Sequence, residues 1–376
     1  MLILKISRLW NPFTLQWYTA CIQVLQKCPA AADILANKEE KMKVGFLGTG
    51  MIVKDLMRTI DQIPFEKKVL LGTEATREET EEIARRFGFA RTYYDYDELL
   101  TSDVDTVYVA LPNFLHYSFA KKALQAGKHV IIEKPVTANY EELEDLKRIA
   151  HDRHLMIFEA MSVVHMPAYL AIKEKLSQLG NIKIVSLNYS QYSHRYDAFK
   201  AGTTLPVFDP HKAGGALMDL NVYNISFICG LFGEPKNVSY HANIEKGIDT
   251  SGILTMDYGT FQAVTIAAKD CKAPVSCSIQ GDAACIAMHS SVNGMTSFDL
   301  DRNDGSIEPY TDNSGNHRLL YEFLDFIKTV DTNDYAHMEE MLEASSIVSR
   351  VMEAARKDAG IIFDNDLKMQ EVKEHK

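Results

Sequence analysis

The sequence predicts an α/β protein in which a doubly wound parallel sheet is followed by an α+β domain with an open, mostly antiparallel sheet. Three observations support this prediction. Short apolar runs alternate with helical patterns between residues 42 and 160, as in parallel sheets whose strands are joined by helices. Beyond Pro167, alternating strand patterns dominate instead. The 376 residues, 46% of them hydrophobic, are enough for two domains of ~150 residues each.

The charge balance and the cysteines limit the classes of function. Lys and Arg number 40 against 51 Asp and Glu, a net charge of −11, which argues against nucleic-acid binding because that needs a basic face. No run reaches the ~18 apolar residues of a membrane span, so we expect no membrane partner. The six cysteines form no Cys-x-x-Cys pair and no zinc spacing. They indicate reduced thiols in a cytoplasmic protein without a metal site.

Residues 1–41 differ from the rest of the chain. They contain both tryptophans, and their five basic and three acidic residues make them basic. A targeting peptide is disfavoured, because polar residues interrupt its apolar run and no compact cleavage pattern follows. We interpret this segment as an accessory helical extension or as a misassigned start, with Met42 as the first residue. The first domain is then predicted at 42–160 and the second at 161–376.

A glycine-containing turn follows the first predicted strand. The apolar run Lys43–Leu47 continues directly into Gly48-Thr49-Gly50-Met51-Ile52. Gly48 allows a tight turn, and Gly50 allows the backbone to approach a pyrophosphate. The helix that begins at Met51 and Ile52 then offers N–H groups and the positive end of its dipole. The pattern predicts a dinucleotide-binding Rossmann domain, although Val53 stands where the third glycine of the fingerprint is expected.

The residue after the second strand indicates which cofactor is bound. An apolar run at 69–73 ends at Glu74, which lies about 20 residues beyond the glycine turn, the spacing of the acid that binds the ribose. Its carboxylate would accept hydrogen bonds from the ribose hydroxyls of NAD and would repel a 2′-phosphate. Arg77 is a competing signal for NADP. Thr76 and Glu79 are spaced as a capping box for the next helix.

The alternation continues through three further strands. Apolar runs at 106–111, 128–132 and 155–158 alternate with helical patterns, and Asn113 and Asn139 stand where helix caps are expected. Ligands of such sheets bind at the carboxyl ends of the strands. We therefore expect the cofactor site to include Leu111, Pro112, Asn113, His116, Glu133 and Lys134. His116 either caps or lines this site or is an ordinary residue of a helix face.

Several motifs in and beyond this region occur together. They are Pro112-Asn113, His116, the Ala-Gly-Lys-His-Val run at 126–130, Glu133-Lys134-Pro135, Gly214-Gly215-Ala216-Leu217-Met218-Asp219 and Tyr223. With these motifs the chain resembles the glucose-fructose oxidoreductase/inositol dehydrogenase/MocA family from residue 42 to about residue 365. In three places it departs from relatives: Ser162 and Val164 stand where dihydrodiol dehydrogenase-like members carry Trp and Arg, and Asn221 replaces a common Gly. Glu74 replaces the Arg of NADP-preferring relatives, which supports NAD.

The resemblance also implies catalytic residues. It makes Lys134 the lysine of the active site and Tyr223 the general acid or base, with Asp219 orienting a substrate hydroxyl. If 217–229 is a helix, Asp219 and Tyr223 project from one face. A nearby ammonium lowers the pKa of a tyrosine, which is ordinarily ~10. Tyr192 and Arg195, at the polar end of an alternating strand, are candidate substrate-binding residues, although the same pattern fits a solvent-facing loop.

The second domain is predicted to be rich in strands. Alternating patterns cover 182–193, 238–244, 253–256, 261–268 and 275–280, and a long apolar-faced helix runs from Met338 to Gly360. The polar stretch 302–317 is predicted as a surface loop. One face of this open sheet must be covered or solvated. The resemblance implies that it pairs with another subunit, in a homodimer or a homotetramer.

Together these residues imply an NAD(P)-dependent oxidoreductase. It would transfer a hydride between the nicotinamide and a carbinol carbon of a sugar, polyol or related diol. Two alternatives stay open. One is an NAD-dependent glycosidase that acts by transient oxidation and elimination, and the other is a non-catalytic NAD(P)-binding sensor. The presence of Lys134, Asp219 and Tyr223 argues against the sensor, which does not need them.

Overall fold

The first half of the chain folds into a parallel sheet of six strands. The structure is a computed structural model that describes residues 41–374, and residues 1–40 of the predicted N-terminal extension therefore lie outside the described residues. The strands are ordered β3-β2-β1-β4-β5-β6. Their bounds are β1 Lys43–Leu47, β2 Lys67–Leu71, β3 Arg91–Tyr93, β4 Thr106–Val109, β5 His129–Glu133 and β6 Ile157–Ala160. This confirms the predicted doubly wound sheet, and it adds β3, which the sequence did not reveal.

The strand order creates the position of the ligand site. The chain winds outward from β1 to β3 in one direction and from β4 to β6 in the other. β1 and β4 pair directly in the middle, so the connections after these two strands diverge to opposite faces. A crevice opens at the carboxyl ends of the strands where the order reverses. The glycine turn follows β1, and Leu111 to Asn113 follow β4.

Helices cover both faces of this sheet. They are Met51–Leu56, Arg77–Phe87, Tyr96–Leu100, His116–Gln125 and Tyr140–Asp152. The predicted cap at Asn139 is confirmed, because its side chain accepts a hydrogen bond from the N–H of Glu142 at 2.9 Å. Two other predicted caps are wrong. Thr76 makes no side-chain cap to the helix that follows it, and Asn113 begins a single 3₁₀ turn rather than capping the helix.

The second sheet has eight strands and is antiparallel at every pairing except β7 with β10, which confirms the predicted open, mostly antiparallel sheet. Its strands are β7 Ile182–Ser190, β8 Asn237–Glu245, β9 Ile248–Asp257, β10 Gln262–Ala268, β11 Cys277–Gly281, β12 Ala284–Met288, β13 Ser297–Arg302 and β14 Ile307–Thr311. The loop predicted at 302–317 is wrong, because β14 lies inside it and pairs with β13. The polar residues there alternate along an exposed edge strand, and composition alone resembles a loop.

Two helices, Val222–Phe232 and Tyr335–Asp358, contact strands of the second sheet. The other helices beyond β6 in the described part of the chain are Pro167–Lys175, His194–Lys200, Arg318–Asp331 and Asp364–Glu374. The long helix Tyr335–Asp358, predicted from its apolar face, contacts Val222–Phe232 as well as β6 and β8. Arg318–Asp331 packs aromatic side chains onto the first sheet: Phe323 contacts Tyr108 edge-on at 5.2 Å between ring centroids. The two sheets are thus held by shared helices.

One described segment, Pro210–Phe232, is long and apolar enough to cross a membrane, contrary to the expectation that no such window exists. Of its most apolar window, 72% is buried inside the fold. Ile225, Phe227 and Ile228 in this segment belong to the core of the second sheet. The segment therefore has the burial of a core helix, and its apolar composition follows from being packed on all sides.

Candidate active site

A cleft of about 720 Å³ opens at the carboxyl edge of the first sheet and extends to the second sheet. Most of the predicted site residues line it: Gly50, Met51, Ile52, Leu111, Pro112, Asn113, Glu133, Lys134, Arg195, Asp219 and Tyr223. The lining does not include Gly48, Glu74, His116 or Tyr192. The volume is in the range of ligand and cofactor sites.

The glycine turn fits a nucleotide pyrophosphate. Gly48 has φ +95°, and a Cβ there would lie 3.1 Å from the carbonyl oxygen of Ala110, so the turn requires glycine. A Cβ at Gly50 would meet nothing within 4 Å, which leaves its outer side open to the cleft. Gly50 also begins Met51–Leu56 without any side-chain cap, and no acidic residue occupies the first turn. The first N–H groups of the helix therefore lack a side-chain partner and can bind an anion.

Glu79 holds this turn from the neighbouring helix. The Thr49 hydroxyl donates to Glu79 at 2.9 Å, and the Lys54 ammonium pairs with the same carboxylate at 2.5 Å. The predicted capping box between Thr76 and Glu79 is absent because Glu79 is used in this way. Thr76 instead pairs with Thr73, whose backbone N–H donates to the Thr76 hydroxyl at 3.0 Å.

Glu74 lies beyond the end of β2 and is largely exposed, and it is paired with Arg77. The Arg77 guanidinium donates from Nε and Nη2 to the two carboxylate oxygens, at 2.9 and 2.5 Å. This pair lowers the pKa of Glu74 below its usual value, so the carboxylate is ionised at neutral pH. Arg77 also lies over the ring of Tyr94, 3.7 Å from its centroid. The two residues that predicted NAD and NADP are therefore in direct contact.

Asn113 and His116 hold the loops at the cleft edge. The Asn113 amide donates to the carbonyl oxygen of Ala213 at 2.9 Å, which joins the first sheet to the segment before Asp219. His116 is fully buried, and its ring nitrogens face the carbonyl oxygens of Leu111 and Pro135 at 2.7 and 2.9 Å. Burial lowers the pKa of His116. The ring thus ties together the loops after β4 and β5 from behind the cleft wall.

Lys134 follows β5 and points into the cleft. Its ammonium donates to the backbone carbonyl oxygen of Asp219 at 2.9 Å and to Asp219 Oδ1 at 3.1 Å. It also lies 4.7 Å from the ring centroid of Tyr223. Burial opposes its charge, yet Tyr223, Asp219 and Glu133 together raise the pKa of Lys134 above its usual value. Lys134 therefore contacts both of the other predicted catalytic residues and stays protonated.

A π-helical turn, Leu217–Asn221, places Asp219. It runs directly into Val222–Phe232, and Gly215 before it has φ +107°. A Cβ on Gly215 would lie 2.0 Å from Asp249 Oδ1, and the other oxygen of Asp249 accepts the Leu217 N–H at 2.6 Å. A π turn leaves regular α-helical pairing, and such turns are frequent at functional sites. Here the Asp219 carbonyl oxygen accepts from Lys134.

Tyr223 lies one turn further, almost fully buried against Lys134 and the ring of Tyr189. Burial raises the pKa of Tyr223 above its usual value, and the charges of Lys134 and Arg318 oppose this. Lys134 thus lowers the pKa of Tyr223, as expected, but burial has the larger effect and the net pKa is raised. Placing a phenolate in a buried site is costly, and this cost outweighs the stabilisation by the two cations.

Two charged residues of the site were missed from the sequence. Lys269 follows β10 and donates to Asp219 Oδ2 at 2.5 Å. Arg318 begins its helix at the cleft edge, where it donates to Ser162 Oγ at 3.0 Å and to Asp55 at 3.1 Å. Lys134 was identified by the Glu133-Lys134-Pro135 motif and the family resemblance, whereas Lys269 has only its position directly after a strand as a signal. Arg318 was missed because its helix was not predicted.

The predicted substrate-binding pair separates in the structure. Arg195 lines the cleft, and its guanidinium lies 3.1 Å from the sulfur of Met51 in the glycine turn. Tyr192 points elsewhere: its hydroxyl donates to Asp197 at 2.6 Å and accepts from Lys200. Arg195 therefore lies in the cleft beside the glycine turn, the segment that fits a pyrophosphate.

A nucleotide-type cleft with a lysine, an aspartate and a tyrosine at one end fits an oxidoreductase, and comparisons with known proteins show that this is the class of the protein. Residues 42–161 match the oxidoreductase family with an NAD-binding Rossmann fold, and residues 169–287 match the GFO/IDH/MocA C-terminal domain. The chain is 30% identical over 328 residues to the scyllo-inositol 2-dehydrogenase (NADP(+)) IolU of Bacillus subtilis, covering 86% of this chain and 99% of the relative. The chain belongs to the GFO/IDH/MocA oxidoreductase family.

Solved structures support the same fold. Levoglucosan dehydrogenase in complex with NADH and levoglucosan has a TM-score of 0.73 at 19% identity, covering 85% of this chain and 97% of that one. KijD10, a 3-ketoreductase from Actinomadura kijaniata in complex with NADP and TDP-benzene, has a TM-score of 0.72 at 21% identity, covering 85% and 98%. These likenesses show the fold, and the family match over residues 42–161 identifies the first sheet as an NAD(P)-binding Rossmann fold.

Proposed function

We propose that this protein is an NAD(P)-dependent dehydrogenase that acts on a carbinol carbon of a sugar or polyol. The main support is that Lys134 contacts both Asp219 and Tyr223. These three residues line the same cleft as the glycine turn. Residues 42–160 would bind the cofactor, and 161–376 would supply the substrate site and subunit contacts. The reduced cysteines among the described residues support a cytoplasmic location.

The side chains have distinct roles in this proposal. When bound, the nicotinamide accepts or returns the hydride. An ammonium carries three N–H donors, and within residues 41–374 Asp219 takes two of those of Lys134. The third is left for the reacting oxygen of the substrate. Tyr223 removes the hydroxyl proton in oxidation and returns it in reduction, while Asp219 fixes the position of Lys134.

The polar groups at this end of the cleft support a polyhydroxylated substrate. Arg318, Asp55 and Lys134 line it together with Tyr189 and Tyr223. Charged and phenolic groups that converge in a partly buried site bind hydroxyl groups, because each leaves donors or acceptors that need a partner. IolU acts on scyllo-inositol and levoglucosan dehydrogenase binds levoglucosan, which supports the same substrate class.

The purified protein is expected to form reduced nicotinamide when supplied with NAD or NADP and a panel of inositols, aldoses and alditols. Each substrate would be assayed with both nucleotides, and the ketone product would be identified by mass spectrometry. Nucleotide binding without any product would contradict the proposal and favour a sensor. Release of an aglycone from glycosides without net reduced nucleotide would contradict it in favour of the eliminating glycosidase.

NAD is the preferred cofactor in this proposal. Glu74 keeps its charge and stands just past the end of β2, where it can accept hydrogen bonds from the ribose. Arg77 is engaged by that carboxylate through one edge of its guanidinium, Nε and Nη2, and this edge is not available to a 2′-phosphate while the pair is intact. IolU is named for NADP, and KijD10 was solved in complex with NADP. The roles of Glu74 and Arg77 in choosing between NAD and NADP are therefore tested directly below.

We also propose that the open face of the second sheet forms a homodimer or homotetramer. Ile253, Ile266 and Asn188 pair across β9, β10 and β7, and paired residues share one face. Ile184 and Ile253 on this face are 46% and 45% exposed. Apolar side chains that repeat across neighbouring strands of an uncovered sheet mark an interaction surface.

Ile253→Asp is expected to convert the native oligomer into monomers, because it places a charge in the centre of this face. Light scattering after size-exclusion chromatography would measure the mass of both proteins. Ile362→Asp is the matched control, since Ile362 is exposed outside the sheet and should leave the mass unchanged. A monomeric wild-type protein, or an unaltered oligomer in Ile253→Asp, would contradict this interface.

A further inference from the structure

We infer that Lys269 is a positioning residue that sets the ionisation of Tyr223 by holding the far oxygen of Asp219. This inference rests on the proposed function for Tyr223. Lys269 does not line the cleft and acts through its contact with Asp219. The result is a chain of alternating charges in which Asp219 lies between Lys134 and Lys269.

The buried ammonium of Lys269 binds the carboxylate oxygen of Asp219 that Lys134 does not use. Its side chain is 3% exposed, and its ammonium donates to Asp219 Oδ2 at 2.5 Å and to the carbonyl oxygen of Val207 at 3.3 Å. It also lies 4.8 Å from the ring centroid of Phe208. Lys134 uses the other carboxylate oxygen, Oδ1. The two ammonium groups thus occupy opposite oxygens of one carboxylate and fix its orientation.

Charge counting explains why a second lysine is needed. A buried charge is costly unless it is paired. Asp219 with Lys134 alone forms a neutral pair, which would contribute little field at Tyr223. Burial lowers the pKa of Lys269, and its contact with Asp219 opposes this shift. With Lys269 protonated, the group Lys134–Asp219–Lys269 carries one net positive charge. That surplus favours the phenolate of Tyr223, because an opposite charge nearby stabilises the ionised form.

The surroundings of Tyr223 determine the sign of the effect. The charged and titratable groups that face it are Lys134 after β5, Arg318 from its helix, Glu133, Asp219 and Tyr189. Lys134 and Arg318 favour the phenolate, whereas Glu133 and Asp219 oppose it. Removing Lys269 leaves the charge of Asp219 less compensated. The balance then shifts toward the protonated phenol.

The Lys269→Met variant is expected to raise the pKa of Tyr223 by about one unit. Oxidation needs the phenolate, so the acidic limb of its kcat/KM profile should move to higher pH and the rate at neutral pH should fall about tenfold. Reduction needs the phenol, and its alkaline limb should also move to higher pH. A side chain that only stabilises the fold would change the rate without displacing either limb.

The same shift should be visible without turnover. Tyrosine labelled at Cζ with an NMR-active carbon isotope would report the pKa of Tyr223, assigned by the signal lost in Tyr223→Phe. Lys246→Met is the matched control: Lys246 likewise donates to a backbone carbonyl and lies over Phe199, but it has no contact with Asp219. Lys269→Arg should restore the wild-type value in part, because it keeps the charge.

The outcomes separate the two proposals. An unchanged Tyr223 pKa in a folded Lys269→Met protein would overturn the role of Lys269, whatever the substrate. A wild-type protein that oxidises no sugar or polyol would overturn the proposed function, while the NMR titration would still decide the role of Lys269. If Lys269→Met fails to fold, Lys269→Gln and Lys269→Arg supply the titration, and equal pKa values in both would contradict the inference.

Discussion

Replacing Lys134 with methionine is expected to abolish turnover while leaving nucleotide binding almost unchanged. The substitution removes the donor to the reacting oxygen and the cation beside Tyr223, and losses of general acid–base and electrostatic groups reach about a thousandfold. The glycine turn, which fits the pyrophosphate, is made by other residues. Calorimetry should therefore give a nucleotide Kd within about threefold of wild type, whereas the rate of nicotinamide reduction should vanish.

The fold should survive this substitution, because Lys269 still neutralises Asp219. Lys67→Met is a suitable control: it removes a lysine from β2, which pairs with Asp103 at the opposite edge of the same sheet. This control should keep wild-type turnover. Lys134→Met activity within about tenfold of wild type would show that the lysine does not act on the reacting oxygen.

Glu74→Ser is expected to shift cofactor preference toward NADP. The substitution removes the acceptor for the ribose hydroxyls and releases Arg77, which then presents its guanidinium to a 2′-phosphate. A hydrogen bond between charged groups contributes about 1.5–3 kcal/mol, or roughly tenfold to a hundredfold in affinity. Titration of NAD and NADP into wild-type and variant protein would measure the change in the ratio of their Kd values.

The double variant Glu74→Ser/Arg77→Ala tests the physical cause. If the freed guanidinium binds the phosphate, the gain in NADP affinity should disappear when Arg77 is also removed. Glu78→Ser is the matched control, because Glu78 is a carboxylate in the first turn of the same helix, whereas the Arg77 guanidinium pairs with Glu74. An unaltered NAD/NADP ratio in Glu74→Ser would mean that Glu74 does not reach the ribose.

Local sequence patterns predicted most of the first sheet and the placement of its site residues. Buried parallel strands are continuous apolar runs, and the helices between them carry regular apolar faces. β3 escaped prediction because it has only three residues and only Tyr93 is buried. The later strands β12 to β14 escaped because alternation over five or six residues is weak, and β14 is an exposed edge strand rich in polar residues.

The site was harder to predict where distant segments meet. Asp219 and Tyr223 were placed correctly on one helical segment, yet the π turn at Leu217–Asn221 has no sequence signal. Lys269 lies far from both Lys134 and Asp219 along the chain, and only the packing of the second sheet brings it to Asp219. At Glu79 a local pattern predicted a capping box with Thr76. In the structure the Glu79 carboxylate instead binds Thr49 and Lys54, which are distant in sequence.

Asp219 binds one cation from each sheet, since Lys134 follows β5 and Lys269 follows β10. The electrostatic arrangement at the reacting oxygen therefore exists only while the two halves of the molecule are docked. The nucleotide turn, by contrast, is complete within the first sheet. Heat or denaturant that loosens the docking should extinguish catalysis before it releases the nucleotide, so that enzyme activity becomes a sensitive gauge of how tightly the halves are joined.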